Sequence, residues 1–278
     1  MPTNDLTVKQ YDVATKLGRH MVLDQRSLAY RRHYTGDPLK PVEWAPKIPV
    51  LDQEDLLAQG IRTSEMFHGV QDVDALGSCT ANAATAVLSV LLDAEACKSA
   101  GLDVTDPVAA ERFAIGLYAD ATQCDDWLDQ QWPSDDCGSS GLGVAKALHA
   151  RGLIDQYGHA TTAEELCALL QTGPVLMGTP WYQAWFEPTR ANALLDDIPD
   201  WQNSPLAGGH EVAVVALEEV RQDSTGALDY ARTIIRVRNS WTAGWGDAGC
   251  FRMSLAVYQA LRGQIDLVQP RLDGTTHA

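Results

Sequence analysis

Three residues far apart in the chain have the side chains that nucleophilic catalysis needs: Cys79, His210 and Asn239. Cys79 opens the run Cys79–Asp93, whose small and apolar residues predict a buried helix with Ser78 as its N-cap. A cysteine on the first helical turn lies near unpaired backbone N–H groups and the positive end of the helix dipole, and both favour the thiolate. Taken alone, this segment fits a buried structural cysteine better than a nucleophile.

The second part of the chain changes that balance. His210 follows two glycines at the start of the predicted strand His210–Leu217, and Asn239 follows the predicted strand Thr233–Arg238. A hairpin would bring Asn239 beside His210, where the amide oxygen accepts from one imidazole nitrogen and leaves the other to face a thiol. Trp241 and Trp245 would shield this hydrogen bond from water.

The elements that must position these residues change in type along the chain. Helices are predicted over Pro107–Ala121, Leu142–Arg151 and Thr162–Leu170, and the next strand over Pro174–Thr179. Helices followed by strands predict an α+β fold with two unlike halves, and a cleft between the halves is a natural place for a site.

Three segments together resemble the papain family of cysteine peptidases, especially its bacterial and phage branch. They are Leu76–Ala83 around the cysteine, Gly208–His210, and Asn239–Gly246. His210 lies 131 residues after Cys79 and Asn239 lies 29 after His210, both within the family's habits. The resemblance covers about residues 23–268. It implies a peptidase domain of residues 51–278, with a helical left lobe (about 70–160), an antiparallel β-barrel-like right lobe (about 161–270) and a cleft between them.

The chain departs from the family pattern at the oxyanion hole. The family places a glutamine six residues before the nucleophile, where its amide assists the backbone N–H of the cysteine. Val73 stands there and cannot donate, and Gln71 is the candidate replacement beside the N–H of Cys79. Losing one such donor lowers the rate about 100- to 1,000-fold. Leu76 also replaces a cysteine that the family often uses in a disulfide.

Residues 1–50 are predicted to form an irregular N-terminal arm. The chain before Cys79 is short for the large inhibitory prosegment of the family, and Asp24–Tyr30 resembles the short N-terminal signature of bacterial members. Two interpretations remain open: a surface arm strapped across the domains, which we favour, and a blocking peptide removed on activation.

The resemblance implies peptide or protein substrates, and the composition argues against other partners. A net charge of −16 argues against nucleic acid and against an anionic membrane surface. The lack of an apolar run of membrane-spanning length or a signal-peptide pattern predicts a cytoplasmic protein. There is no CxxC pair and no zinc-type spacing, so neither a metal nor a cofactor is expected. Oligomeric state stays open.

Other polar residues are expected to be structural. Glu211 is predicted on the opposite face of the strand from His210. Cys124 and Cys137 would pair only in an oxidising compartment. The histidines at 20, 33, 68, 149, 159 and 277 are predicted to be surface or helix histidines, and the aspartates at 125, 126, 129, 135 and 136 to be solvated loop charges.

The leading functional hypothesis is therefore a cysteine peptidase that hydrolyses peptide bonds through an acyl-thioester, as an endopeptidase. Two alternatives remain. Val73 raises the possibility of a catalytically weakened or inactive binding protein on the same fold. An acyltransferase or transglutaminase-like enzyme would use the same triad and differ only in the acyl acceptor.

Overall fold

The computed structural model describes residues 17–22, 31, 33–50, 76–126, 131–188 and 192–272. Four helices come first: α1 Cys79–Leu91, α2 Ala94–Ser99, α3 Pro107–Cys124 and α4 Gly141–Ala150. They pack around one apolar cluster. No helix in the described part of the chain is long and apolar enough to cross a membrane.

The helix ends follow the capping residues. Asp93, Asp106 and Ser140 each accept a hydrogen bond from the first turn of α2, α3 and α4 respectively. The predicted helix from Pro107 continues three residues beyond its expected end, because Ala121 and Thr122 are buried against the same cluster as the rest of α3.

The second part of the chain is mainly strands. They are β4 Gln156–Ala160, β5 Val175–Tyr182, β6 Leu206–Glu219, β7 Ile234–Arg238, β8 Cys250–Ser254 and β9 Asp266–Arg271. Helices α5 Ala163–Leu170 and α6 Leu255–Leu261 pack on the sheet. β6 and β7 pair antiparallel, as the hairpin prediction requires. Strands β4, β8 and β9 and helix α6 are additions that the short sequence patterns did not predict.

The sheet is open, which corrects the expectation of a barrel-like lobe. Its strands follow the order β4-β9-β5-β6-β7-β8, and among the described strands the two ends do not pair. The outer edge of β8 is instead taken by a bridge between Leu194 and Arg252, so it is not available to close a barrel.

The two faces of the sheet belong to two different cores. On β6, Ala213 and Val215 face the helical cluster, while Val212 and Val214 face the second cluster with α5 and α6. Alternation along a strand therefore places neighbouring residues of β6 on opposite sides. This alternation separates His210 from Glu211.

Parts of the N-terminal arm are built into the fold. Strand β1 (Arg19–His20) pairs in parallel with β3 (Ser139–Ser140), and β2 (Val42–Glu43) pairs antiparallel with β6. Leu17, Arg19 and His20 are almost entirely buried. The described segment 17–22 thus lies in the interior, while Asp24–Tyr30, to which the strap interpretation applies, lies outside the described residues.

Candidate active site

Cys79 is the first residue of α1, as the sequence predicts. Ser78 occupies the N-cap position, and its carbonyl oxygen accepts from the backbone N–H groups of Ala81 and Asn82. Its hydroxyl does not cap the helix, because it accepts instead from Nδ2 of Asn82 at 3.2 Å. The thiol of Cys79 is thus presented from a buried helix end.

A half-buried carboxylate, that of Asp136, fixes the loop before the cysteine. Both oxygens of Asp136 accept from the N–H of Gly77, at 3.1 and 3.0 Å, and Tyr118 Oη donates to Oδ1 at 2.7 Å. Asp125 accepts from the hydroxyls of Ser139 and Ser140, and burial raises its pKa to about 6. The prediction of a solvated acidic loop is therefore wrong for Asp125 and Asp136, because both bond to the backbone or hydroxyls around the site.

His210 and Asn239 meet as the hairpin predicts. Nε2 of His210 lies 2.7 Å from Oδ1 of Asn239, which also accepts from the N–H of Ser240 at 2.7 Å. Because an amide oxygen can only accept, Nε2 carries the proton and Nδ1 carries the lone pair. Within the described residues Nδ1 has no hydrogen-bond partner. Burial lowers the pKa of His210 to about 4, and the bond to Asn239 opposes that shift.

Aromatic rings surround the imidazole. Trp241 stacks on it with ring centroids 4.7 Å apart, and Trp181 meets it edge-on at 5.0 Å. Trp245 packs edge-on against Trp241 and donates Nε1–H to the carbonyl of Phe186 at 2.7 Å. The sequence predicted the two later tryptophans but missed Trp181, whose only signal was an aromatic residue near the end of an apolar strand.

The sulfur of Cys79 lies beside the backbone of the residue after His210. The backbone N–H groups of Glu211 and Gly18 lie near it and favour the thiolate, and α1 packs against β6, the strand that also carries His210. Burial nevertheless raises the pKa of Cys79 to about 11. This corrects the expectation that the helix end alone yields a thiolate: with segment 17–22 seated, desolvation outweighs the N–H groups.

Segment 17–22 is packed tightly against the nucleophile loop. A Cβ on Gly18 would lie 2.0 Å from the carbonyl oxygen of Gly77, so only glycine fits there. His20 is buried, with Nε2 2.7 Å from the carbonyl oxygen of Cys137. His159 is buried in β4 as well. The expectation of surface or helix histidines is wrong for His20 and His159, because both lie in strands and are buried.

The remaining expectations concern the oxyanion hole, the cysteines and metals. Gln71 and Val73 lie outside the described residues. All six cysteines are free thiols, including Cys124 and Cys137. Within the described residues no three His, Cys, Asp or Glu side chains are grouped so that they could hold a metal ion.

Comparison with known proteins rests on solved structures. No family model matches the chain, and no curated protein matches it. Xylellain, a cysteine protease from Xylella fastidiosa, superposes with a TM-score of 0.62 at 19% identity, over 96% of this chain and 99% of that one. Procathepsin L 3 from the Tenebrio molitor larval midgut gives 0.46 at 16%, over 87% and 74%. Bromelain from Ananas comosus gives 0.40 at 15%, over 84% and 99%. The chain has the α+β fold of the papain-like cysteine proteases, with an open sheet.

Proposed function

We propose that this chain is a cysteine peptidase in which Cys79 is the nucleophile, His210 the general base and Asn239 the residue that orients the imidazole. The observation that carries the proposal is the 2.7 Å bond from Nε2 of His210 to Oδ1 of Asn239. That bond fixes the tautomer and leaves the basic Nδ1 for the thiol. We also propose that the chain is related to the bacterial and phage branch of the papain family, and its likeness to xylellain supports this relationship.

Each step of the reaction uses these residues. Nδ1 of His210 takes the thiol proton as the sulfur of Cys79 attacks the peptide carbonyl. The imidazolium then gives that proton to the leaving amine as the C–N bond breaks, which forms an acyl-thioester. Nδ1 next takes a proton from a water molecule whose oxygen attacks the thioester. The C–S bond breaks, and the released thiolate takes this proton back from the imidazolium. Asn239 accepts from Nε2–H throughout and stabilises the imidazolium.

The developing oxyanion needs donors. We place the backbone N–H of Cys79 in this role, because a first-turn N–H has no intrahelical acceptor. Gln71 is the proposed second donor, as an amide side chain that precedes the nucleophile loop.

The arm has an inhibitory role in this proposal. Residues 1–50 would form an N-terminal, pro-like arm on a peptidase domain of residues 51–278. The buried position of Gly18 against Gly77, and the N–H of Gly18 directed at the sulfur of Cys79, support a closed form in which segment 17–22 occupies the substrate site. Substrate would enter only after this segment moves or is cut.

Two other activities fit the same fold. An inactive binding protein would need none of the three residues, and the His210–Asn239 hydrogen bond that orients a general base favours the enzyme. An acyltransferase would pass the acyl group from Cys79 to an amine in place of water. Peptide cleavage without any added amine separates the two enzymes, because a peptidase releases the free acid at its full rate and an acyltransferase needs the amine for turnover.

The test is cleavage of a mixed peptide library by the full chain, followed by mass spectrometry. The Gly18→Ala/Arg19→Ala variant is included, because its segment cannot seat against Gly77. We expect internal cleavage that Cys79→Ala abolishes. Equal cleavage by the Cys79→Ala chain would overturn the proposal, and so would a complete lack of turnover in the folded double variant.

A further inference from the structure

Arg19 is a fully buried arginine in the segment that covers the nucleophile. Its guanidinium is ion-paired with Asp266 and lies 4.0 Å from an oxygen of Glu211. Nη1 also donates to the carbonyl of Gln264 at 3.3 Å. Buried arginines need such partners, since an isolated charge in the interior is strongly unfavourable.

The carboxylates belong to one row across the sheet. Gly178 of β5 pairs directly with Glu211 on β6 and with Asp266 on β9. Residues paired in this way share a face, so the two carboxyl groups flank Gly178 from strands that lie about 10 Å apart. The middle position of this row has no side chain, and a cationic group can enter between the two acids. We call this the acidic pocket: Glu211, Gly178 and Asp266.

The dimensions of the pocket depend on glycines. A Cβ on Gly178 would lie 2.3 Å from Nε of Arg19 and 2.5 Å from Oδ1 of Asp266. A Cβ on Gly141, at the start of α4, would lie 2.9 Å from the other oxygen of Asp266 and 3.0 Å from Oε1 of Glu211. A larger residue at Gly178 would take the space of the guanidinium, and one at Gly141 would displace the two carboxyl groups.

The acidic pocket adjoins the nucleophile. The backbones of Glu211 and of Gly18, the residue before Arg19, lie near the sulfur of Cys79, and Gly18 packs against Gly77 in the nucleophile loop. A buried ion group does little for stability compared with apolar packing, so stability alone is a weak reason to keep two carboxyl groups here. A net charge of −16 also draws cationic peptides toward the protein.

We infer that the acidic pocket is the specificity site of the proposed peptidase and that Arg19 holds the place of a substrate arginine. The inference rests on the proposed function and adds its substrate class: peptides with arginine close to the scissile bond. Charge-assisted bonds to the pocket select the guanidinium over a neutral side chain of the same shape.

Binding is tested without any need for turnover. The Gly18→Ala/Arg19→Ala chain is titrated in a calorimeter with the peptide Leu-Gly-Arg-His-Met-Val and with its citrulline analogue, which keeps the shape and loses the charge. We expect the arginine peptide to bind at least about tenfold more tightly, as expected for hydrogen bonds to a charged group. Adding Asp266→Asn should bring the two affinities together.

A control separates the pocket from the overall charge. Glu95→Gln removes one carboxylate from the exposed start of α2 and should leave the preference for arginine unchanged. Equal affinities for the two peptides, binding of neither, or an unchanged preference after Asp266→Asn would each overturn the inference.

Turnover distinguishes this inference from the proposed function. With peptides that carry arginine, citrulline or glutamate at one varied position, the double variant should cleave the arginine series at least about tenfold faster at a single position. Cys79-dependent cleavage without that preference would sink the pocket and keep the peptidase. Arginine-selective binding in a folded chain that never cleaves would keep the pocket and contradict the peptidase.

Discussion

The two faces of strand β6 beside the nucleophile differ completely in character. On one face His210 is enclosed by Trp181 and Trp241, and its only described hydrogen bond is to Asn239. On the other face Glu211, one residue later, lies against the guanidinium of Arg19. Aromatic packing holds the imidazole in one orientation. The charged pocket holds the guanidinium of Arg19, which under our inference a substrate arginine replaces.

We relate this contrast to the two tasks of the proposed peptidase, which are base catalysis and substrate recognition. The base needs a fixed tautomer and a rigid ring, and aromatic packing supplies both without competing hydrogen bonds. Recognition needs a pocket whose polar groups are satisfied only when the right side chain enters. In the proposed peptidase the bound side chain and the reacting carbonyl would be positioned by the same backbone, because His210 and Glu211 are adjacent on one strand.

The largest expected effect is on the aromatic face. His210→Ala in the Gly18→Ala/Arg19→Ala chain should lower kcat at least about 10,000-fold, because the proposed mechanism assigns the thiol proton to Nδ1 of His210. Steady-state hydrolysis of a cleaved library peptide measures this. Cys124→Ala, which changes a cysteine outside the site, is the control and should turn over normally. A His210→Ala enzyme with near-normal kcat would remove the base from the account.

The next effect concerns the closed form itself. Gly18→Ala alone should raise the hydrolysis rate of the full chain at least about tenfold, since even about 1.4 kcal/mol of destabilisation of the seated segment changes its population by that factor. Gly263→Ala is the matched control, because no atom lies within 4 Å of an added Cβ there. Equal rates for the two variants would show that segment 17–22 does not limit access.

A smaller effect is expected from the orienting amide. Asn239→Ala should lower kcat about 10- to 100-fold and leave KM nearly unchanged, because the base is misaligned while the pocket is intact. The bond to Asn239 raises the pKa of His210, so its loss should also move the alkaline limb of the kcat/KM profile to lower pH. An unchanged pH profile would mean that Asn239 has only a structural role.

The sequence predicted the parts of this site that depend on local structure. The position of Cys79 at a helix start and the contact between His210 and Asn239 follow from one run of small and apolar residues and one hairpin. Asp136, Trp181 and Arg19 were missed because their roles come from packing between distant segments. A strand of two residues such as β1 is too short to show a periodic pattern. Its position is set by pairing with β3, which is more than 100 residues away in the chain.

The smallest expected effect is on stability and belongs to the charged face, where Arg19 and Asp266 face Glu211. Burial raises the pKa of Glu211 from about 4.5 to about 8, so its stabilising contribution is complete below pH 4.5 and is lost as the pH rises through 8. The lowered pKa of His210 acts in the opposite direction, between about 6.5 and 4.

Of these two groups, Glu211 alone should therefore change the stability between pH 6.5 and 8. The Tm of the wild type should fall over this window more than the Tm of Glu211→Gln, by a few degrees in calorimetric scans. Glu95→Gln should follow the wild type. Parallel Tm curves for wild type and Glu211→Gln would show that Glu211 has a normal pKa in the folded chain.

The central claim is that Cys79, activated by His210, is the nucleophile, and covalent labelling tests it most directly. The Gly18→Ala/Arg19→Ala chain is incubated with an epoxide thiol probe, and the adduct is located by peptide mass mapping. The account predicts one adduct, on Cys79, which forms at least about 100-fold more slowly after His210→Ala. Labelling of Cys124 or Cys137 instead, or an unchanged rate on Cys79 without His210, would contradict it.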